Sequence, residues 1–302
     1  MVAITYTKPI DGHVHLRGDE YAHIRPSFAE LAFRDAEAAG LAGLCEEPNA
    51  EPYVVDKETA LKRVAYIDTI KGKTEHAMAV AITGDPIQIE KAIWTIWEMS
   101  RVPTGKTFFS PTTKSEKLEI IVPQQQNKSW KVLSNTESGN ITREMHLEDK
   151  DTFQIEYDPL RPETHAYRQG PESEVIQFER QFGFAYDAKF KGIFLVKHTS
   201  NPETIQLGRK LVREKCPKFR VMYETTWHHM FLNIEEDYPL HGNWVKMNPP
   251  LRSKKLQEGL LESVIAGHTH TIGSDHAPHD PEQKIGLPYK SGIPAILFYP
   301  KE

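Results

Sequence analysis

Three features of the sequence predict an α/β chain closed into a TIM-type (β/α)8 barrel. There are eight short β-prone runs; helix-prone segments separate them; and several of the runs are mostly apolar rather than strictly alternating. Parallel strands covered on both faces read in that way, and the number of units favours a barrel over a doubly wound sheet. The 302 residues are enough for one large domain, and residues 1–302 are assigned to a single barrel.

The predicted strands fall near residues 4–10, 43–46, 76–82, 106–109, 141–146, 192–196, 220–223 and 271–274. The first helix, "PSFAELAFRDAEAAG", has Pro26 near its start and Gly40 as its stop. The second, "KETALKRVAYIDTIKG", follows Asp56 as N-cap and ends at Gly72. "PIQIEKAIWTIWEM" carries Ile89, Ile93, Trp94, Ile96 and Trp97 on one broad apolar stripe, read as core packing rather than a recognition device. "PESEVIQFERQFGFA" follows the fifth run, "NPETIQLGRKLVREK" the sixth, and "SKKLQEGLLESVIAG" precedes the eighth. Residues 111–140 and 226–253 break the spacing and are expected to be long loops near the active site, where strand ends carry a barrel's chemistry. Little chain follows the eighth run. The last β/α unit is therefore expected to be incomplete, with its flank shielded by something else, such as a neighbouring subunit.

Hydrophobic content of 39%, charged content of 26% and a formal net charge of −5 describe an ordinary globular protein with no basic excess for nucleic acid. Two cysteines, Cys45 and Cys216, are too few for a disulfide framework, and the start lacks the apolar core of a signal peptide; a cytoplasmic setting with no membrane association is expected. The fourteen histidines are many, and several cluster.

"DGHVHLR" places His13 and His15 two residues apart, which on a strand turns both imidazoles to one face. Taken alone, this pair fits a metal site and a solvated strand equally. His146, His198 and Asp275 each follow a different β-prone run, and each has a bland reading as a surface or capping residue. A barrel gathers strand ends into one mouth, and imidazoles with a carboxylate there suit zinc and similar divalent ions. Lys106 by itself reads as a snorkelling lysine at a strand start.

"DGHVHLR", "EEPNA", "GKTFFSPTTKS", "MHLED", "RPETHAYRQGPESEVIQFERQFG", "VKHTSNPETIQLGRKL", "YETTWHHMFL", "VKMNPPLRS" and "GSDHAPHD" occur in the order seen in dihydroorotases of the metal-dependent amidohydrolase superfamily, and the chain resembles that family from about Asp11 to Ile293. The resemblance implies two divalent ions, zinc foremost. His13 and His15 would hold the more buried ion with Asp275, and His146 and His198 the second. Lys106 would bridge both as N6-carboxylysine formed with carbon dioxide. It assigns Arg17, Asn49 and His279 to a substrate carboxylate, and Asn248 to the segment contacting the pyrimidine ring. His228 and His229 match a paired-histidine motif tied to loop structure and are not assigned as ligands.

The chain departs from the family pattern in three ways. A β-sandwich domain built from both chain ends is not expected, Trp227 stands where proline is usual, and Glu47 stands where methionine is common. The implied reaction is the reversible hydrolysis of (S)-dihydroorotate to N-carbamoyl-L-aspartate in de novo pyrimidine biosynthesis. A metal-activated hydroxide would attack, and Asp275 would relay its proton. The small anionic cyclic amide is then the partner, together with a homo-oligomer and association with another pyrimidine-pathway enzyme. The alternatives are a hydantoinase- or allantoinase-type amidohydrolase, and a non-catalytic homologue with a structural role in a complex. Asp275 and Arg17 weigh against the last, because a structural copy needs neither a base nor a substrate anchor.

Overall fold

The computed structural model describes residues 7–17, 26–113, 115–135, 141–287 and 289–299. In chain order the elements are β1 (Ile10–Val14), α1 (Phe28–Ala38), β2 (Gly43–Glu46), α2 (Lys57–Ile67), β3 (Glu75–Ala81), α3 (Pro86–Glu98), β4 (Thr104–Phe108), α4 (Pro123–Asn135), β5 (Thr142–His146), α5 (Thr164–Arg168), α6 (Pro171–Asp187), β6 (Ile193–Val196), α7 (Pro202–Lys215), β7 (Arg220–Thr226), α8 (Trp227–Phe231), α9 (Ile234–His241), α10 (Lys254–Ile265), β8 (Thr271–Gly273) and α11 (Pro281–Ile285). The strands form one parallel sheet in sequence order, β1 through β8. Across the seam, the His15 amide donates to the His276 carbonyl at 2.7 Å, and Val14 bridges His276 in parallel. The result is a nearly closed TIM barrel.

Local chemistry explains where the helices begin. The side chains of Ser27, Asp56, Asp85, Asn201 and Ser253 each accept an orphan amide in the first turn, and at Asp56 the bond is returned by the Thr59 hydroxyl. Proline at N1 of α3, α6 and α7 costs nothing, since that amide has no helical partner. The largest apolar cluster lies between the strands and the outer helices, where Phe178, Phe182, Phe190, Phe194, Phe219 and Trp130 pack together.

The period of two along β5 sorts its residues between that layer and the barrel interior. Arg143 faces outward, its guanidinium 4.0 Å from the Trp130 ring centroid and bonded to Thr107 and Ser129. Glu144 faces inward, 3.8 Å from Lys197 Nζ. Lys197 also donates to the Gly12 carbonyl at 2.7 Å and to Glu224 at 2.8 Å, so charged groups form the barrel's centre beneath its mouth.

Four expectations need correction. The first strand lies further along than residues 4–10, because β1 pairs with β2 through Ile10, Asp11 and Val14; residues 4–6 lie outside the described residues. Residues 111–140 contain the 13-residue helix α4, and residues 226–253 contain α8 and α9. On α3 the buried stripe is Ile89, Ala92 and Ile93, which leaves Trp94 and Trp97 58% and 41% exposed and packed edge to face against each other. The last flank is covered by this chain itself, with Ile296 and Tyr299 buried against α1 residues such as Phe33. No helix among the described residues is long and apolar enough to cross a membrane.

Candidate metal centre and adjoining cleft

β1 and the residue just past its end deliver His13 and His15 to the mouth, and the segment after β8 delivers Asp275. Their ligand atoms all lie within 4.8 Å of one another. Asp275 Oδ1 is 3.2 Å from His13 Nε2 and 3.1 Å from His15 Nε2. Asp275 has φ +47°, His198 φ +37° and Arg17 φ +60°. Left-handed backbone at non-glycine residues is costly and tends to collect where a site requires it, and three predicted site residues share it here.

His13 Nδ1 lies 2.6 Å from Glu224 Oε1, so its proton sits on that side and its Nε2 lone pair faces the mouth. Burial first, then the charge of Lys197, holds the His13 pKa well below the ordinary imidazole value, so the ring is neutral. Burial raises the Asp275 pKa, but the His15 hydrogen bond first, and then nearby positive charge such as that of Lys106, outweigh it and leave the carboxyl below its usual range. A neutral nitrogen lone pair thus faces a carboxylate oxygen at 3.2 Å. Two electron-rich atoms held that close in a buried place call for a cation between them, and the donor types suit a divalent ion.

His198 stands next to this group, its ring centroid 5.2 Å from that of His13. Its Nε2 is 2.9 Å from His146 Nδ1, while His146 Nε2 meets Glu148 at 2.8 Å. His198 is therefore adjacent to the first three ligands, and His146 reaches them through it, the two rings facing one another. Burial keeps His198 neutral, the positive groups around it adding to the effect.

Lys106 also reaches the centre. Its Nζ lies 3.2 Å from Glu47 Oε2, and Glu47 Oε1 lies 3.4 Å from His13 Nε2 and 3.5 Å from Lys197 Nζ. The side of Lys106 that faces His13 is occupied by the Glu47 carboxylate. A carbamate built there would set a second carboxylate against the first in a buried position, so the place does not fit N6-carboxylysine. Glu47, Glu224 and Lys197 were not singled out as site residues by sequence reasoning. Only Glu47 left a signal, as the unusual residue in "EEPNA".

Beside the metal centre, His15, Arg17, Asn49, Thr112, Thr113, Asn248, Asp275 and Gly292 line a narrow cleft. Asn49 Nδ2 donates to the Thr113 carbonyl at 3.0 Å, leaving Oδ1 with no hydrogen-bond partner among the described residues. Asn248 is held by Thr112 at 3.3 Å and by His165 at 3.0 Å. His279 Nε2 donates to the Ser291 carbonyl at 2.8 Å and lies 3.4 Å from Arg17 Nη2, so it stands beside Arg17 without a lone pair to offer it and is not a lining residue of the cleft. His229 spans Thr226 Oγ1 at 2.8 Å and the Pro249 carbonyl at 3.0 Å, fixing the loop that bears Asn248. His228 is buried with neither ring nitrogen hydrogen-bonded among the described residues, and burial lowers its pKa to about 4, so the ring is neutral. A larger hollow between α7 and α10, lined by Gln206, Arg209 and Glu262, contains none of these groups.

No family model matches the chain. Its sequence is 25% identical to the dihydroorotase of Halobacterium salinarum over 95% of this chain and 63% of that protein. It is 29% identical to the dihydroorotase of Listeria innocua over 91% of this chain and 61% of that protein. The chain thus spans about three fifths of the length of these curated relatives. Among solved structures, the D-hydantoinase from Bacillus sp. AR9 superposes with a TM-score of 0.76 at 20% identity, over 95% of this chain and 64% of that one, a likeness of fold.

Proposed function

We propose that this chain, a sequence relative of dihydroorotases built on the amidohydrolase barrel, is a metal-dependent cyclic amide hydrolase acting on (S)-dihydroorotate. The observation that carries the reading is that His13, His15 and Asp275 come together at the barrel mouth beside a cleft lined by Arg17, Asn49 and Asn248. Zinc is the ion best matched by two imidazoles and a carboxylate. His13, His15 and Asp275 would hold it, with His146 and His198 next to them for a second. Such an ion, when bound, acidifies water near neutral pH and polarises the scissile carbonyl.

The chain's own residues supply the rest. Arg17 presents a planar, permanently charged fork to the substrate carboxylate, with the His279 ring beside it. Asn49 and Asn248 complete the polar lining, Asn49 through its free oxygen. With its low pKa, Asp275 is ionised and able to take the proton of the attacking water. The water oxygen bonds to the carbonyl carbon, the carbon–nitrogen bond breaks, and Asp275 returns the proton to the departing ring nitrogen. A cationic anchor in the cleft argues for an acidic ring over a neutral hydantoin.

The test is turnover of dihydroorotate and of N-carbamoyl-L-aspartate by the purified chain, alongside its metal content and the Asp275→Ala variant. Turnover in both directions is expected, falling roughly 10²- to 10⁴-fold in the variant. Undiminished turnover would remove the proton relay, and absence of turnover with bound metal would remove the substrate assignment.

A further inference from the structure

The Glu47 carboxylate lies where the metal ligands, Lys106 and Lys197 converge. Its Oε1 is 3.4 Å from His13 Nε2, and its Oε2 is 3.2 Å from Lys106 Nζ. The residue is 1% exposed, and Oε2 has no hydrogen-bond partner among the described residues, because the Lys106 contact is one of charge without hydrogen-bond geometry. The Lys106 ammonium offsets the charge of that oxygen but leaves its lone pairs unused, and a buried acceptor in that condition favours a further ligand-seeking cation. The backbone fixes its position: the Glu47 amide donates to the Val14 carbonyl at 2.9 Å, directly between His13 and His15 in sequence. The pairing of β1 with β2 therefore sets this carboxylate beside the HxH pair, whatever else binds there.

We infer that Glu47 is itself a metal ligand, and that in this chain it supplies the carboxylate for which a carbon dioxide adduct on Lys106 would otherwise be needed. The inference rests on the metal-dependent reading above and alters its ligand set. Lys106 then remains an unmodified ammonium, a counter-charge to Glu47 rather than a ligand. The surrounding charges agree with this arrangement. Lys197 Nζ lies 2.8 Å from Glu224, 3.5 Å from Glu47 and 3.8 Å from Glu144, so one ammonium is already shared among three carboxylates. A carbamate would add one more negative group to this set and remove one positive group from it.

Three measurements on the full chain test the inference. The first is carbon NMR after zinc reconstitution in ¹³C-bicarbonate, where no carbamate resonance is expected and zinc affinity should not depend on bicarbonate. The second is zinc affinity of Glu47→Gln, nearly isosteric with the parent, where a loss of about tenfold or more is expected, at least the effect of removing an outer partner of a ligand. The third is Lys106→Met, expected to bind zinc within a few-fold of the parent. A carbamate carbon in the parent protein would overturn the inference, and so would zinc lost with Lys106→Met but kept with Glu47→Gln. Should the parent bind no zinc at all, the metal-dependent reading itself fails, a result distinct from both.

Discussion

Glu224 offers a test of how the interior of the barrel governs its mouth. Its carboxylate accepts from His13 Nδ1 at 2.6 Å and from Lys197 Nζ at 2.8 Å, and it is fully enclosed. It thereby fixes the tautomer that leaves the His13 Nε2 lone pair pointing at Asp275. Burial raises the Glu224 pKa to about 7, so the carboxyl is charged above that pH; in Glu224→Gln the amide oxygen can still accept from Nδ1, and ring position survives while that charge is lost. A hydrogen bond to a charged group is worth about 1.5–3 kcal/mol and a neutral one about 0.5–1.5 kcal/mol, a difference on the order of 1–1.5 kcal/mol. At about 1.4 kcal/mol per decade this predicts a zinc affinity about tenfold weaker, at the lower edge of the roughly 10- to 100-fold effect typical of such partners. Competition against a chromogenic chelator measures it, with circular dichroism to confirm the fold. An unchanged affinity in a folded variant would show that His13 does not bind metal through the tautomer set by Glu224.

Arg17→Met should lower kcat/KM for dihydroorotate by roughly 10- to 100-fold through loss of a charge-assisted contact, leaving any turnover of neutral hydantoins within about twofold; equal losses on both would remove its role as carboxylate anchor. His165 is held neutral, mainly by burial and then by Lys246, with its pKa lowered to about 3. Between that value and its unfolded value near 6.5 the unfolded chain binds more protons, so stability from this residue is present above pH ~6.5 and is lost as pH falls toward ~3. His165→Gln should therefore flatten the decline in stability over that window, seen in denaturant midpoints at several pH values; a parallel pair of curves would refute it. Gly208→Ala sets a methyl group against the Tyr223 hydroxyl and 2.7 Å from the Phe178 ring, and overpacking of this kind should cost about 1–3 kcal/mol in thermal unfolding.

Residues with regular periodicity and clear caps were legible in the sequence, which is why seven strands and six helices fall close to their expected ranges. Helix α4 was not, because its buried face holds Gln126 and Ser129 beside Trp130 and Leu133. Those polar groups are satisfied in part by tertiary partners, as Gln181 shows in bonding both Trp130 and Gln126. The tryptophans of α3 were misplaced for a related reason, since a broad apolar stripe does not say which of its edges the barrel covers. At the site, spacing pointed to His13 and His15, and the resemblance to known relatives supplied Arg17, Asn49 and Asn248. Glu47, Glu224 and Lys197 gain their meaning from strand register and from contacts across the barrel, which no local pattern encodes.

The seam between the first and last strands has a consequence for how the protein acquires its site. His13 and His15 stand about 260 residues before Asp275, so a ribosome must release that whole intervening stretch before the three can meet. An ion seated among them would act as a clasp on the ring, adding about 4 kcal/mol when free metal is a thousandfold above its dissociation constant. Loss of metal and slackening of the ring at this one junction would then be a single event, first visible as faster amide exchange at His15.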